Sequence, residues 1–285
     1  MGWSEGRELT STTWGVVRSQ RQLWVIVVRG AVLAGLVGLV VCIPGILLVT
    51  SDTTALVVLG WIVLVIAAFL AAVVWMFHAG ALAYAADEAL RSGTSPSAKD
   101  ALRATAPRRG SLAGWAAITV AVGWLLAALR GNASGGGAMA IIRLLGAGAL
   151  AAAWSLLTFF VVPVIVLEGA SPAHAIKRSG HILRERWGTQ IAGNIRIGGL
   201  VTLLVVLPAV ALVVAGALIA TTGNVAGEAG GGAILLIGVA VLAIALALLS
   251  AMRSVFGVAL YRYADTGASV GPFSPTVLAG AVRPR

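Results

Sequence analysis

The chain has 285 residues, of which 59% are hydrophobic and 11% are charged, and it carries a formal net charge of +10. A soluble domain carries about 25% charged residues, so this composition excludes a water-coated globule of that size and makes lipid the solvent for much of the surface. In such a chain the excess of cations reads as a signal for membrane orientation rather than for nucleic acid. A single cysteine, Cys42, excludes an internal disulfide. Together with three scattered histidines it gives no reason to expect a metal or a cofactor.

Only helices and closed barrels satisfy every backbone group in hydrocarbon. The apolar runs here are longer than barrel strands and do not alternate, so helices are expected. Residues 13–23, with Trp14, Arg18 and Arg21, predict a short interfacial helix. The first span covers about 25–49, with Pro44 near its far end, and no signal-peptide cleavage site ends it. A Thr50–Thr54 turn leads to a second span over 55–84. The charged connection 86–110 pairs Asp87 with Arg91 four residues on, and Ser95-Pro96 opens a short helix over 96–106. Its apolar stripe is Ala98, Ala101, Leu102 and Thr105.

A third span over 112–129 and a glycine-rich loop at 131–137 precede a fourth span over 144–167 that bends at Pro163. Gly146, Gly148, Ala152, Ser155 and Thr158 read there as close-packing and interhelical bonding positions. Ser171-Pro172 then opens a helix over 172–187, amphipathic by spacing. Ile176, Gly180, Leu183 and Trp187 share one face; His174, Arg178, His181 and Glu185 share another. A fifth span covers 197–220, with Pro208 near its middle. A glycine-rich loop follows at 221–232, then a sixth span over 233–260 and a tail helix over 274–282 after Ser274-Pro275.

Eighteen of the 20 lysines and arginines fall in the terminal segments and in the connections after the second and fourth spans. Arg130 and Arg143 alone fall on the other side. The positive-inside rule therefore predicts six spans in the cell membrane with both termini in the cytoplasm. Gly93, Ser95, Pro96 and Arg108 match Gly169, Ser171, Pro172 and Arg184 at a constant offset, and Ser274-Pro275 is a looser third copy. The expected fold is an all-α polytopic membrane helix bundle spanning the single domain 1–285. It comprises three hairpins, each with a short interfacial helix on the inner face.

The stretch W-S-L-L-T-F-F-V-V-P-V-I-V-L-E (Trp154 to Glu168), the K-R-S of Lys177 to Ser179 and Arg186-Trp187-Gly188 resemble a family of bacterial and archaeal six-helix membrane proteins of unknown function. Weaker matches lie at Trp14, Ala121 to Arg130 and Phe77 to Ala89. His78 stands at or beside a position where that family carries Asn. The resemblance implies topology and brings no activity.

No catalytic constellation is visible. Ser171 in G-A-S-P-A-H lacks the glycine that a nucleophile elbow needs, and it reads as a helix cap. His174 and His181 stand two turns apart, about 10 Å by helical rise, with Arg178 between them, too far to share one ion. His78 is the ionisable residue clearly inside a span, about two turns from its cytoplasmic end, and so a candidate functional residue. Glu168 is expected to pair with Lys177 or Arg184, and Pro44, Pro163 and Pro208 to kink their helices.

Arg103, Arg108, Arg109, Lys177, Arg178, Arg184 and Arg186 are the expected contacts to anionic headgroups or to a partner. The reading is a non-enzymatic membrane protein that organises lipid, a protein partner or further copies of itself through its cytoplasmic basic helices. The alternative is a transporter or channel-like component for a small molecule or lipid.

Overall fold

The computed structural model describes residues 3–130, 138–187, 207–221 and 225–273, and among these every regular element is a helix. Five helical stretches among the described residues are long and apolar enough to cross a membrane: Arg21–Val49, Thr54–Ser92, Ala98–Leu129, Leu145–Leu167 and Ala229–Thr266. They leave large apolar side chains bare, with Val40, Leu145 and Leu236 exposed by 68%, 67% and 72%. Water does not tolerate such a surface at this extent, and these helices mark a membrane protein. A sixth apolar helix, Leu207–Ala220, is shorter within the described residues. The first half of the expected fifth span, the loop at 131–137, the tail helix 274–282 and the side chain of Arg186 lie outside them.

Packing divides the chain into two compact units. The first gathers Met1–Val28, Ala86–Pro96 and Arg186–Arg285. Its opening helix α1 (Trp3–Ser19) is longer than the sequence suggested and stops one residue short of α2 (Arg21–Val49). Ser19 bonds its hydroxyl to the Val16 carbonyl, a local competitor to the helix ladder. Trp24 packs edge-on against Trp14 and donates its indole N–H to the Val17 carbonyl.

Gln20, at the break, acts as a clamp. Its amide donates to the Gly93 carbonyl and accepts from the Ser95 N–H, both at 2.9 Å. It thereby occupies both hydrogen-bonding edges of the turn that follows α3 (Thr54–Ser92).

The end of this unit is a hairpin of α9 (Leu207–Ala220) and α10 (Val225–Thr266). The glycine-rich stretch expected as loop through residue 232 is helical from Val225. The reason is contact between backbones. Gly216 faces Leu235, Gly231 faces Ala220, and a methyl group at Gly238 would stand 2.7 Å from the Val213 nitrogen. Glycine here serves a helix interface, as in membrane bundles generally. Pro208 is the second residue of α9 as described, and the residues before Leu207 lie outside the described ones.

The second unit comprises Arg29–Ala85 and Ser97–Glu185. In it α2 and α3 form a hairpin in which Gly45 meets the Leu64 side chain and Gly60 meets Val49. Pro44 lies inside α2, which runs on through it to Val49. After α3 comes α4 (Ala98–Thr105), capped by Ser97 rather than Ser95. The Ser97 hydroxyl accepts from the Asp100 N–H at 3.2 Å and donates to its carboxylate. The S-x-x-D spacing is that of a capping box, with the carboxylate held by the Ser97 hydroxyl. A single 3-10 turn, Ala106–Arg108, leads into α5 (Arg109–Arg130).

The fourth expected span is two helices, α6 (Ala138–Leu157) and α7 (Val161–Leu167). Pro163 has no N–H to give the Phe159 carbonyl, and its ring collides with that carbonyl in a continuous helix. The ladder therefore stops ahead of the proline, at residues 158–160, and Pro163 falls in the first turn of α7, where no donor is needed. Gly146 and Gly148, expected to pack closely, have nothing within 4 Å, while Ala147 between them is buried. Ser155 is exposed, and the Thr158 hydroxyl bonds the Trp154 carbonyl of its own helix.

Candidate functional site

His78 sits in α3 with 6% of its surface exposed. A methyl group at Gly30 of α2 would stand 2.6 Å from its Cβ, so only glycine lets the two helices close over the ring. Nδ1 lies 2.8 Å from the Val74 carbonyl. A carbonyl only accepts, so Nδ1 carries the hydrogen, and in the neutral ring Nε2 presents a lone pair. Nε2 is buried and has no hydrogen-bond partner among the described residues. Two residues on, Gly80 meets Thr105, Leu112 and Val166, so α4, α5 and α7 pack against α3 there.

The basic residues expected to contact headgroups or a partner divide into two groups. Arg108 is half-buried with its guanidinium laid against Gly169, where a methyl group would stand 2.8 Å from Cζ. Gly169 has φ +73°, the left-handed region in which side chains are disfavoured. Arg178 is half-buried and reaches Glu168 at 3.3 Å, so Arg178, not Lys177 or Arg184, is the partner of that carboxylate. Arg103, Arg109, Lys177 and Arg184 are exposed on α4, the start of α5 and α8 (Pro172–Trp187). Among the described residues no ion pair engages any of these four.

α8 begins as expected, with the Ser171 hydroxyl accepting the His174 N–H at 3.4 Å. This makes Ser171 the cap of α8. The face that α8 packs inward differs from the expected stripe by one position. Ala175, Ser179 and Ile182 are buried, while Ile176, Gly180 and Leu183 stand half-buried at its flank.

Ser179 is wholly buried and lies at the break between α6 and α7. Its hydroxyl donates to the Leu157 carbonyl at 2.5 Å and accepts from the Phe160 N–H at 3.3 Å. One side chain of α8 therefore completes two backbone groups that the interrupted ladder releases. Two of the stretches that carry the sequence resemblance, W-S-L-L-T-F-F-V-V-P and K-R-S, meet at this point.

His181 pairs with Glu185 at 3.2 Å on the open side of α8. Among the described residues no group of three His, Cys, Asp or Glu side chains is placed to hold a metal ion.

In the first unit the sequence reading missed the strongest polar contact. Asp87 is 4% exposed, and Arg262 of α10 grips it with both arms, Nε to Oδ1 at 2.6 Å and Nη2 to Oδ2 at 2.7 Å. Arg91, the expected partner, stands at 3.9 Å with a largely exposed side chain. Nothing local in the sequence pairs residues 175 positions apart; the available hint was an arginine in the apolar A-L-Y-R-Y-A end of the last helix.

No curated protein matches the chain. Residues 57–271, three quarters of its length, match the model of a family of unknown function, DUF6159, and the chain belongs to that family.

Proposed function

We propose that this protein crosses the cell membrane six times with both termini in the cytoplasm, and that its cytoplasmic basic helices bind the headgroups of anionic lipids without catalysing a reaction. One observation carries the reading. Arg103, Arg109, Lys177 and Arg184 stand exposed within one unit, engaged by no carboxylate among the described residues. Each such cation near an anionic surface contributes about 1 kcal/mol, so the four together hold α4, the start of α5 and α8 to the bilayer by about 4 kcal/mol.

The 18-to-2 division of lysines and arginines supports the orientation. The threefold hairpin repeat is supported by matching helix ends. α3, α7 and α10 each give way to a glycine of positive φ: Gly93 at +78°, Gly169 at +73° and Gly267 at +72°.

The test is retention of fluorescent phosphatidylglycerol against phosphatidylcholine by the solubilised full chain. The expected result is a preference for the anionic lipid that Arg103, Arg109, Lys177 and Arg184 changed together to Gln reduce at least tenfold. Equal retention by wild type and variant overturns it. Cysteines at Asn224 and Lys99 labelled from the same side of the membrane overturn the topology.

A second reading, a transporter or channel-like component, draws on the buried lone pair of His78 Nε2. It requires that His78→Ala change a measured flux, and an unchanged flux removes it.

A further inference from the structure

We propose that α8 is a latch that sets the geometry of the interrupted membrane helix α6–α7, and that anionic headgroups on the opposite side of α8 hold the latch closed. The inference rests on the lipid-binding reading above and adds its conformational consequence.

The two sides of α8 do different things. At 3.6 residues per turn, Lys177, His181 and Arg184 lie about 140–200° round the helix from Ser179. All three are exposed, while Ser179 is fully buried. Arg178 ties the same turn to Glu168 at the end of α7. α8 thus runs back along the seven residues of α7 and delivers one hydroxyl to the peptides on either side of the break.

Hydrocarbon offers no replacement donor for the Leu157 carbonyl. If α8 leaves, the backbone at residues 158–160 must find new partners within its own chain, which requires different dihedrals and a different angle between α6 and α7. Whatever displaces α8 therefore acts on the bend. Headgroup charge around Lys177 and Arg184 adds to the stability of α8 in its place at the interface, where the Ser179 bonds are made, and its loss favours release.

The experiment uses the full chain with Cys42→Ser, reconstituted in vesicles of phosphatidylcholine alone or in an equimolar mixture with phosphatidylglycerol. Spin labels at Leu150→Cys on α6 and Leu167→Cys at the end of α7 report the bend. In a separate sample a fluorophore at Ala173→Cys, an exposed position on α8, reports headgroup contact through a headgroup-bound quencher. A change of about 20° across α7 moves its far end by about 4 Å.

The expected results are a single distance in the anionic vesicles and a distribution displaced by about 4 Å in the neutral ones. Ser179→Ala should give the displaced distribution in both. Lys177→Gln with Arg184→Gln, which leaves both Ser179 bonds intact, should behave in anionic vesicles as wild type does in neutral ones. Quenching that responds to lipid charge while the distance stays fixed in wild type and both variants overturns the latch and leaves lipid binding standing. Quenching that ignores lipid charge overturns the lipid reading and the latch with it.

Discussion

Removing the guanidinium of Arg262 tests whether the contact to Asp87 holds the first unit together. The Asp87 side chain is 5% exposed and that of Arg262 24%. Truncating one member of a buried pair costs about 3–5 kcal/mol, because the other charge stays buried without its partner. Arg91 still stands 3.9 Å away, but on a side chain 60% exposed, and a pair of that kind contributes about 0.5 kcal/mol. Arg262→Met should therefore destabilise by about 3 kcal/mol, the low end of that range.

Asp87→Asn keeps an acceptor and leaves a guanidinium that reaches water, so about 1–2 kcal/mol is expected. Arg91→Met should cost less than about 0.5 kcal/mol. Asp87→Leu combined with Arg262→Met should return to within about 1 kcal/mol of wild type, since an apolar pair of similar volume replaces an ion pair at little loss. The assay is reversible SDS unfolding of the full chain in mixed micelles, followed by circular dichroism. Arg262→Met within about 0.5 kcal/mol of wild type, or a double variant no more stable than that single one, refutes the reasoning.

Glycine substitutions should split by what faces them. Gly238→Ala drives a methyl group onto the Val213 and Leu212 backbone and should cost about 1–3 kcal/mol in the same titration. Gly148→Ala, with nothing within 4 Å, should gain about 0.5–1 kcal/mol from helix propensity. Gly93→Ala and Gly169→Ala each meet left-handed strain of about 1 kcal/mol; Gly169→Ala should be the worse because it also displaces Arg108, and equal losses would contradict that packing. Ser97→Ala removes the cap of α4 and should cost about 1 kcal/mol. Gln20→Leu should leave α1 and α2 helical by circular dichroism but speed proteolysis at residues 93–97, whose turn loses both clamp bonds.

The helices were legible wherever solvent decides structure. The runs from Val25, Ala55, Leu112 and Ala233 are apolar beyond what a soluble element needs, and each lies in a helix. Local chemistry was legible where one signal stood alone, as at Ser171-Pro172. It failed where two competed. Ser95-Pro96 and Ser97-x-x-Asp100 both announce a helix start, and the reciprocal bonds at Ser97 and Asp100 outweigh a proline at the first position.

Glycine was ambiguous for a physical reason. The residue that loosens a loop also lets backbones touch, and only the facing residues Val213 and Leu235 decide between the two. His78 was visible as an ionisable group in a span; its orphaned Nε2 was not, because that depends on Gly30 closing over the ring. Ser179 was visible only as part of K-R-S, since its partners Leu157 and Phe160 owe their availability to a break set by Pro163.

The Asp87 contact also bears on the order of synthesis. The carboxylate leaves the ribosome 175 residues ahead of the arginine that neutralises it. Throughout that interval the nascent polypeptide carries an anion at the end of α3 that can be enclosed only once α10 has been made. The first unit draws on three separated stretches of chain, so its closure is a late event, and a product terminated before Arg262 would present to the cell's proteases a carboxylate left to Arg91, whose side chain is largely exposed.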